Sequence, residues 1–318
     1  MPRMGPRVCF RYFTQSFSIK TRFTREGIRF RLKTQKKNDQ NVRYNVNSWI
    51  DQNDHIKIRP VSDLLKCFGF TFLTATVAFN LAIYVDWEKT KKATRNYISG
   101  LRRSPQGESL WDRVTPASKA AFTLIGLNCA VFLLWKVRSW HPFMWRYFTN
   151  SFSSKSLCLP MLTSVFSHSS AVHLAFNMYA TYSFFDLLIQ HLLGVEQFWA
   201  FYLTAGVVSS LASLSQKAVT RNPVRALGAS GAILAMVSYF CMRYPNSELS
   251  LLLVPGLKFS AESALWAILL FDTAGLIFRF RVFDHAAHLG GALFGVFYAL
   301  YGEEFIWKMY GDILRKNI

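Results

Sequence analysis

Seven apolar stretches, each close to the length of a membrane-spanning helix, constrain this chain more than any other feature of its sequence. About 20 apolar residues cross a bilayer as a helix, and a helix satisfies its backbone hydrogen bonds within one segment. The stretches cover residues 64–85, 117–135, 171–190, 196–214, 226–244, 261–278 and 285–301. We therefore predict an all-α polytopic membrane protein embedded in a lipid bilayer.

The composition agrees with lipid as the main solvent. Hydrophobic residues make up 51% of the 318 residues and charged residues 17%, whereas soluble domains carry about 25% charged residues. The net charge of +19 lies largely in the first residues and has no base-reading motif beside it, so we do not predict a nucleic-acid partner. The five cysteines show no paired spacing and predict neither a disulfide framework nor a metal site.

The spacing of the apolar stretches predicts one separate span followed by a compact six-helix body. The predicted regions are a largely disordered presequence and polar linker (1–63), an extra N-terminal helix (64–86), a connecting loop (87–116), the six-helix body (117–302) and a C-terminal tail (303–318). Inside the body, residues 136–170 form a long segment rich in Trp, Phe and Arg. Such side chains favour the headgroup level, so this segment is predicted to lie in the membrane interface.

The first 37 residues predict the location of the protein. They contain eleven Lys and Arg but a single acid, Glu26, with Ser, Thr and Phe between them. An Arg-rich, acid-poor and hydroxyl-bearing leader is typical of a mitochondrial presequence. The alternative is a basic arm that lies on anionic lipid.

Two helix starts carry the polar residues that predict chemistry. Ser230 opens the fifth span between Gly228 and Gly231, where free N–H groups and the positive helix end would stabilise an oxyanion. His288 lies near the start of the last span, on one face with Gly291 and Gly295. This small-residue strip favours close contact with another helix.

These residues predict a nucleophile and a general base in the membrane. A buried imidazole rests neutral and is then able to accept the serine proton. His285 points away from the glycine strip, nearer the membrane edge, and is the weaker candidate for the base. Asp272 and Asp186 are interpreted as packing or interface groups, since a serine–histidine pair needs no acidic third member.

A third polar group opens the third span. His173 and Asn177 are four residues apart and lie on one helix face, with His168 shortly before them. Donors at this spacing would point at a single oxygen. A metal site built from histidines is the alternative, but no carboxylate completes a known ligand spacing, so we predict neither a metal nor a cofactor.

The combination His173-x-x-x-Asn177, Gly228-x-Ser230-Gly231 and Ala287-His288-x-x-Gly291 resembles the rhomboid intramembrane serine proteases. The pair Trp145-Arg146 is similar to a Trp-Arg pair of that family. The basic leader, the extra span and the run from Phe283 to Gly291 resemble its mitochondrial branch, the presenilin-associated rhomboid-like proteases.

The resemblance implies a rhomboid-like six-helix bundle with one extra N-terminal helix, a one-plus-six arrangement, in the mitochondrial inner membrane. It implies a Ser230–His288 dyad, an oxyanion hole from His173, Asn177 and the Ser230 N–H, and His168 as a supporting group. The expected substrates are single-pass membrane proteins. Where bacterial members often have an aromatic residue packed on the histidine, this sequence has Leu234.

Two other functions stay open from the sequence. A catalytically inactive relative would bind membrane clients without cutting them, although such proteins usually lose the serine or the histidine. A transporter would also hold Ser, His and Asn in a wet cavity, but it predicts an internal repeat that this sequence does not show.

Overall fold

The computed structural model describes residues 59–99, 113–250, 256–280 and 283–317. The predicted presequence, with Cys9 and most of the polar linker, lies outside the described residues. The same holds for the middle of the predicted connecting loop, residues 100–112.

The described residues are mainly helical. The α-helices are α1 Leu64–Ile98, α2 Pro116–Leu134, α3 His141–Tyr147, α4 Leu159–Thr163, α5 Ala171–Leu188, α6 Gly194–Thr220, α7 Ser230–Arg243, α8 Ala261–Ile277, α9 His285–Phe297 and α10 Gly311–Asn317. Short 3₁₀ turns cover Val61–Asp63, Arg138–Trp140 and Ser164–Phe166, and π-helical segments cover Ile189–Leu193 and Tyr298–Tyr310. Strands β1 Glu248–Ser250 and β2 Lys258–Ser260 pair antiparallel, with Glu248 opposite Ser260.

Side-chain caps fix where several of these helices begin. Thr115 accepts a hydrogen bond from the backbone N–H of Ser118 and is followed by Pro116, which suits the first helical position. Ser170 caps α5 and Ser260 caps α8 in the same way. Because a short polar side chain satisfies an N–H that would otherwise lack a partner, each cap defines a sharp boundary between loop and helix.

Each of the seven apolar stretches coincides with a helix. By length and composition, three helical runs of the described residues are suited to cross a membrane, namely 61–98, 116–134 and 171–220, and the last run contains two of the predicted spans. Helix α7 is apolar but shorter. The described residues are therefore mostly helical, while the count of seven spans and the one-plus-six arrangement stay predictions.

Helices extend across two of the predicted region boundaries. Helix α1 continues past residue 86 to Ile98, so the start of the predicted connecting loop is helical. Its Glu, Lys and Arg residues are good helix formers, and a helix that leaves the membrane needs no apolar side chains. The predicted C-terminal tail is also helical, because Tyr298–Tyr310 runs on into α10.

Helix α6 is the buried centre of the bundle. Its side chains Phe198, Phe201 and Tyr202 are fully buried and pack with Tyr239 of α7 and Tyr298. This aromatic cluster lies toward one end of the molecule, and Ser209, Ser213 and Lys217 follow it along α6 toward the other end. The interior is thus apolar at one end and polar at the end where α7 and α9 begin.

Candidate active site

Glycines bring the start of α7 and the start of α9 into backbone contact. A Cβ atom placed on Gly291 would lie 2.0 Å from the carbonyl oxygen of Gly231, and one on Gly295 would lie 2.2 Å from that of Ala235. A Cβ on Gly231 would in turn meet Ser209 of α6. The three glycines therefore hold α6, α7 and α9 closer than any side chain would allow.

Ser230 and His288 meet where these helices begin. Ser230 Oγ lies 2.8 Å from His288 Nε2, within hydrogen-bond distance. Gly228, just before the serine, has a φ of 134°, which L side chains rarely adopt, and its N–H donates to Ser164 O at 3.0 Å. The strained turn thus places the serine at the first position of its helix.

Asp272 of α8 adds an acidic group behind the histidine. Its Oδ1 lies 3.4 Å from His288 Nδ1 and 2.7 Å from His285 Nδ1, and the carboxylate is buried. The first distance exceeds a normal hydrogen bond, although catalytic contacts in empty sites are often long. The packing role inferred for Asp272 from the sequence is therefore incomplete, because the carboxylate faces both histidines.

His285 is buried in the protein, at the start of α9. Its ring lies directly against Gly275 of α8, where an added Cβ would come within 2.4 Å. Phe271, Phe280 and Phe283 surround it at ring distances of 5.4 to 6.0 Å. The Nδ1 of His285 therefore contacts the carboxylate of Asp272, whereas Ser230 contacts His288.

His173 and Asn177 lie on α5, beside the serine turn. Gly228 leaves room for the His173 ring, since a Cβ there would come within 2.8 Å of His173 Cε1. The Asn177 amide donates to the carbonyl oxygen of His173, one turn earlier, at 3.0 Å. The structure therefore places His173 next to the turn that carries Ser230, with Asn177 held one turn behind it.

His168 is fully buried and packs edge-on against His173, at a ring distance of 5.0 Å. Neither of its ring nitrogens has a hydrogen-bond partner among the described residues. Burial, and to a smaller degree the neighbouring His173, lowers the pKa of His168 to about 4. His168 is therefore a neutral support for the His173 ring.

The histidines do not form a metal centre with other ligands. Within the described ranges, no group of three or more His, Cys, Asp or Glu side chains is arranged to hold a metal ion.

Comparisons with known proteins identify the family of this chain. The Rhomboid domain family matches residues 144–304, which include every site residue named above. The chain belongs to the rhomboid family. It is 41% identical over 263 residues to "Presenilin-associated rhomboid-like protein, mitochondrial" of Rattus norvegicus, covering 78% of this chain and 70% of the relative.

Two further relatives place it in the same branch. The protein of the same name from Homo sapiens is 40% identical over 263 residues, covering 78% of this chain and 69% of the relative. "Rhomboid protein 1, mitochondrial" of Saccharomyces cerevisiae is 32% identical over 198 residues, covering 61% of this chain and 56% of the relative.

The segment before α5 is attached to the rhomboid site by Arg225. Its guanidinium donates to Trp145 O and to Thr149 Oγ1, both at 3.0 Å, and lies over the Trp145 ring. Asn150 and Ala226 also form two backbone hydrogen bonds: the Asn150 N–H donates to the Ala226 oxygen at 2.7 Å, and the Ala226 N–H donates to the Asn150 oxygen at 2.8 Å. These bonds tie the 136–170 segment to the strand-like residues that lead into Ser230.

Two functional neighbours escaped the sequence analysis. Phe283 lies 5.8 Å from the His288 ring, tilted by 33°, and supplies an aromatic contact that Leu234 cannot make. Asp272 is interpreted from the sequence as a packing or interface group, without a part in the chemistry. An intramembrane acid is a functional candidate by default, so its mere presence was the signal that could have found it.

Proposed function

We propose that this rhomboid protein is an intramembrane serine endopeptidase that cuts single-pass membrane proteins without a cofactor or metal. The observation that carries the proposal is the 2.8 Å distance between Ser230 Oγ and His288 Nε2. A nucleophile and a base within hydrogen-bond reach, with the base itself facing a third group, form the arrangement of acyl-transfer enzymes.

The first half of the reaction forms an acyl-enzyme. His288 Nε2 takes the proton of Ser230 as the serine oxygen attacks the peptide carbonyl. The resulting oxyanion is stabilised by the backbone N–H of Ser230, at the positive start of α7, and by His173 and Asn177. His288 then returns the proton to the leaving amine, and the peptide bond breaks.

The second half releases the new carboxyl end. Water gives a proton to His288 and attacks the ester, and Ser230 regains its hydrogen. The carboxylate of Asp272 keeps the Nδ1 proton on His288 and offsets the positive charge that the ring acquires in each half. Asp272 is therefore a positioning residue, because it acts on the substrate only through His288.

The proposed setting follows from the helices and the relatives. We assign the protein to the mitochondrial inner membrane, as a multi-pass protein with six helices in the catalytic body and α1 as an extra span. The names of the relatives support a mitochondrial location, and the apolar helical runs support a membrane. The basic leader supports import through a presequence, by its composition.

Reconstitution in liposomes tests the activity. The reporter is a single-pass protein whose span contains small, helix-breaking residues, and cleavage is followed by gel and by mass spectrometry of the new ends. Wild type should cut the reporter, while Ser230→Ala and His288→Ala should not. Cleavage at the wild-type rate by the Ser230→Ala protein would remove the serine from the mechanism.

Matched controls separate chemistry from folding. Ser238 lies on the same helix as Ser230, is buried and has no hydrogen-bond partner for its Oγ among the described residues, so Ser238→Ala should keep full activity. His191 is exposed and lies at the opposite end of α5, so His191→Ala serves for the histidine. If folded wild type cuts no reporter and Ser230 does not react with a fluorophosphonate, the client-binding alternative replaces the protease.

A further inference from the structure

A buried ion pair adjoins the active site at the start of α9. Lys217, in the last turn of α6, is 4% exposed, and its Nζ lies 2.8 Å from Asp284 Oδ2 and 2.7 Å from Ser213 Oγ. Ser213 also donates to the same carboxylate oxygen at 2.6 Å. The three side chains thus form a closed hydrogen-bonded triangle between α6 and the start of α9.

Burial makes this pair unusual. A buried ammonium group is costly unless an anion and further hydrogen bonds offset its loss of water. The Lys217 charge also suits the negative end of α6, and the Asp284 charge suits the positive start of α9. The pair therefore matches both helix dipoles while it fastens the two helix ends together.

Asp284 connects the pair to the helix that carries the base. Its second carboxylate oxygen, Oδ1, accepts the N–H of Ala287 at 3.1 Å, so Asp284 is the N-cap of α9. Its backbone oxygen accepts the N–H of His288 at 3.0 Å. Moving the Asp284 side chain would therefore shift the first turn of α9, which ends at His288.

The pair also belongs to the wall of the site. Asp284 and Ser213 line a cavity of about 40 Å³ that Ser230 lines from the opposite helix. Asp284 precedes His288 by four residues, which is about one helical turn. With Lys217 in place, the charge of Asp284 is neutralised by a cation that is fixed in the core.

We infer that Lys217 is a positioning residue for His288, acting through Asp284 on both the place and the charge balance of the base. The inference rests on the proposed role of His288 in catalysis. Lys217 bonds to Ser213 and Asp284 and is not among the residues that line the cavity beside Ser230, so its effect has to reach the histidine through Asp284. Charge variants of the pair should therefore change the pH at which His288 becomes reactive.

Other groups also face His288 and must stay constant in the test. Asp272 of α8 approaches its Nδ1, His285 of α9 has its ring 6.4 Å away, and His173 of α5 interacts with it electrostatically. None of them is altered in the variants below. A difference between variants then reports the Lys217–Asp284 pair.

The test measures the pH midpoint for carbethoxylation of His288 by diethyl pyrocarbonate, which attacks the neutral ring and is read by mass spectrometry. Lys217→Met leaves the Asp284 anion unpaired and should raise the midpoint, whereas Asp284→Asn leaves a cation and should lower it. The two shifts should have opposite signs, because the two variants leave opposite net charges beside the start of α9. The double variant and Lys217→Arg should stay near wild type.

Opposite shifts cannot come from a loosened structure alone, because loosening would move both single variants in the same direction. Lys258→Met breaks the exposed pair with Glu248 and serves as the matched control, with no expected change. Equal midpoints for all variants, or shifts of one sign in both single variants, would overturn the inference. Because the reagent reacts with His288 directly, the result is independent of whether Ser230 proves to be a nucleophile.

Discussion

Replacing Gly291 by alanine is the sharpest test of the packing that brings Ser230 and His288 together. The new Cβ would lie 2.0 Å from the oxygen and 2.7 Å from the carbon of the Gly231 carbonyl group. Real Cβ contacts essentially never fall under 3.0 Å, and the atoms in the way belong to a helix backbone. Helix α9 must therefore move away from α7 by about 1 Å or more.

This displacement acts directly on the catalytic contact. His288 is three residues before Gly291 on the same rigid helix, so the 2.8 Å distance to Ser230 Oγ would grow beyond hydrogen-bond reach. A misplacement of about 1 Å costs on the order of 10²-fold in rate. The overpacked helix contact should also lower the free energy of unfolding by about 1–3 kcal/mol.

The assay compares reporter cleavage in liposomes with thermal unfolding of the same preparations. Gly126→Ala is the control, because nothing lies within 4 Å of its new Cβ and alanine favours a helix by about 1 kcal/mol. Gly295→Ala should destabilise as Gly291→Ala does but with a smaller loss of activity, since it lies two turns from His288. A folded Gly291→Ala protein with activity near wild type would refute the argument.

Three further variants test other contacts of the site. Asp272→Asn should lower kcat by roughly 10²-fold with little change in KM. The neutral amide neither keeps the proton on Nδ1 of His288 nor offsets the positive charge that the His288 ring acquires. An unchanged kcat would contradict this. Arg225→Met should lower the free energy of unfolding by roughly 2 kcal/mol through its lost hydrogen bonds, measured by thermal unfolding, with Arg225→Lys recovering only part. His168 has a pKa of about 4 when folded, against 6.5 for the free group, so the unfolded chain takes up its proton first as the pH falls. Stability should therefore decrease from pH 6.5 toward pH 4, and His168→Gln should flatten this trend; an equal slope would contradict it.

The helices were readable from the sequence because apolar length and small-residue spacing are local properties. The starts of α5, α8 and α9 coincide with the starts of their apolar stretches, because a Ser or Asp cap begins each helix there. The end of α1 was not, because the sequence analysis equated the end of the apolar stretch with the end of the helix. A helix continues into water as long as its residues favour it, and the residues after 86 do.

The pairing of Ser230 with His288 could also be predicted from the sequence, because helical spacing shows which residues share a helix face with glycines. The role of Asp272 was not, since it depends on how α8 is rotated against α9. No local pattern reports this rotation, which is set by the fit of the His285 ring against Gly275. The Lys217–Asp284 pair could not be predicted either, because its members are 67 residues apart and meet only through the packing of α6 against α9.

The two helix contacts of α9 differ in rigidity: the contact with α7 is rigid, and the contact with α8 is more easily displaced. Against α7 the contact is backbone on backbone, through Gly231 and Gly291, and leaves no side chain to adjust. Against α8 it runs through side chains, and Asp272 holds His285 at 2.7 Å but His288 only at 3.4 Å. A small tilt of α8 would thus change the acid–base contact while the serine–histidine contact stays fixed. Substitutions at the α7 contact should consequently abolish most of the activity, whereas substitutions at the α8 contact should lower the activity gradually.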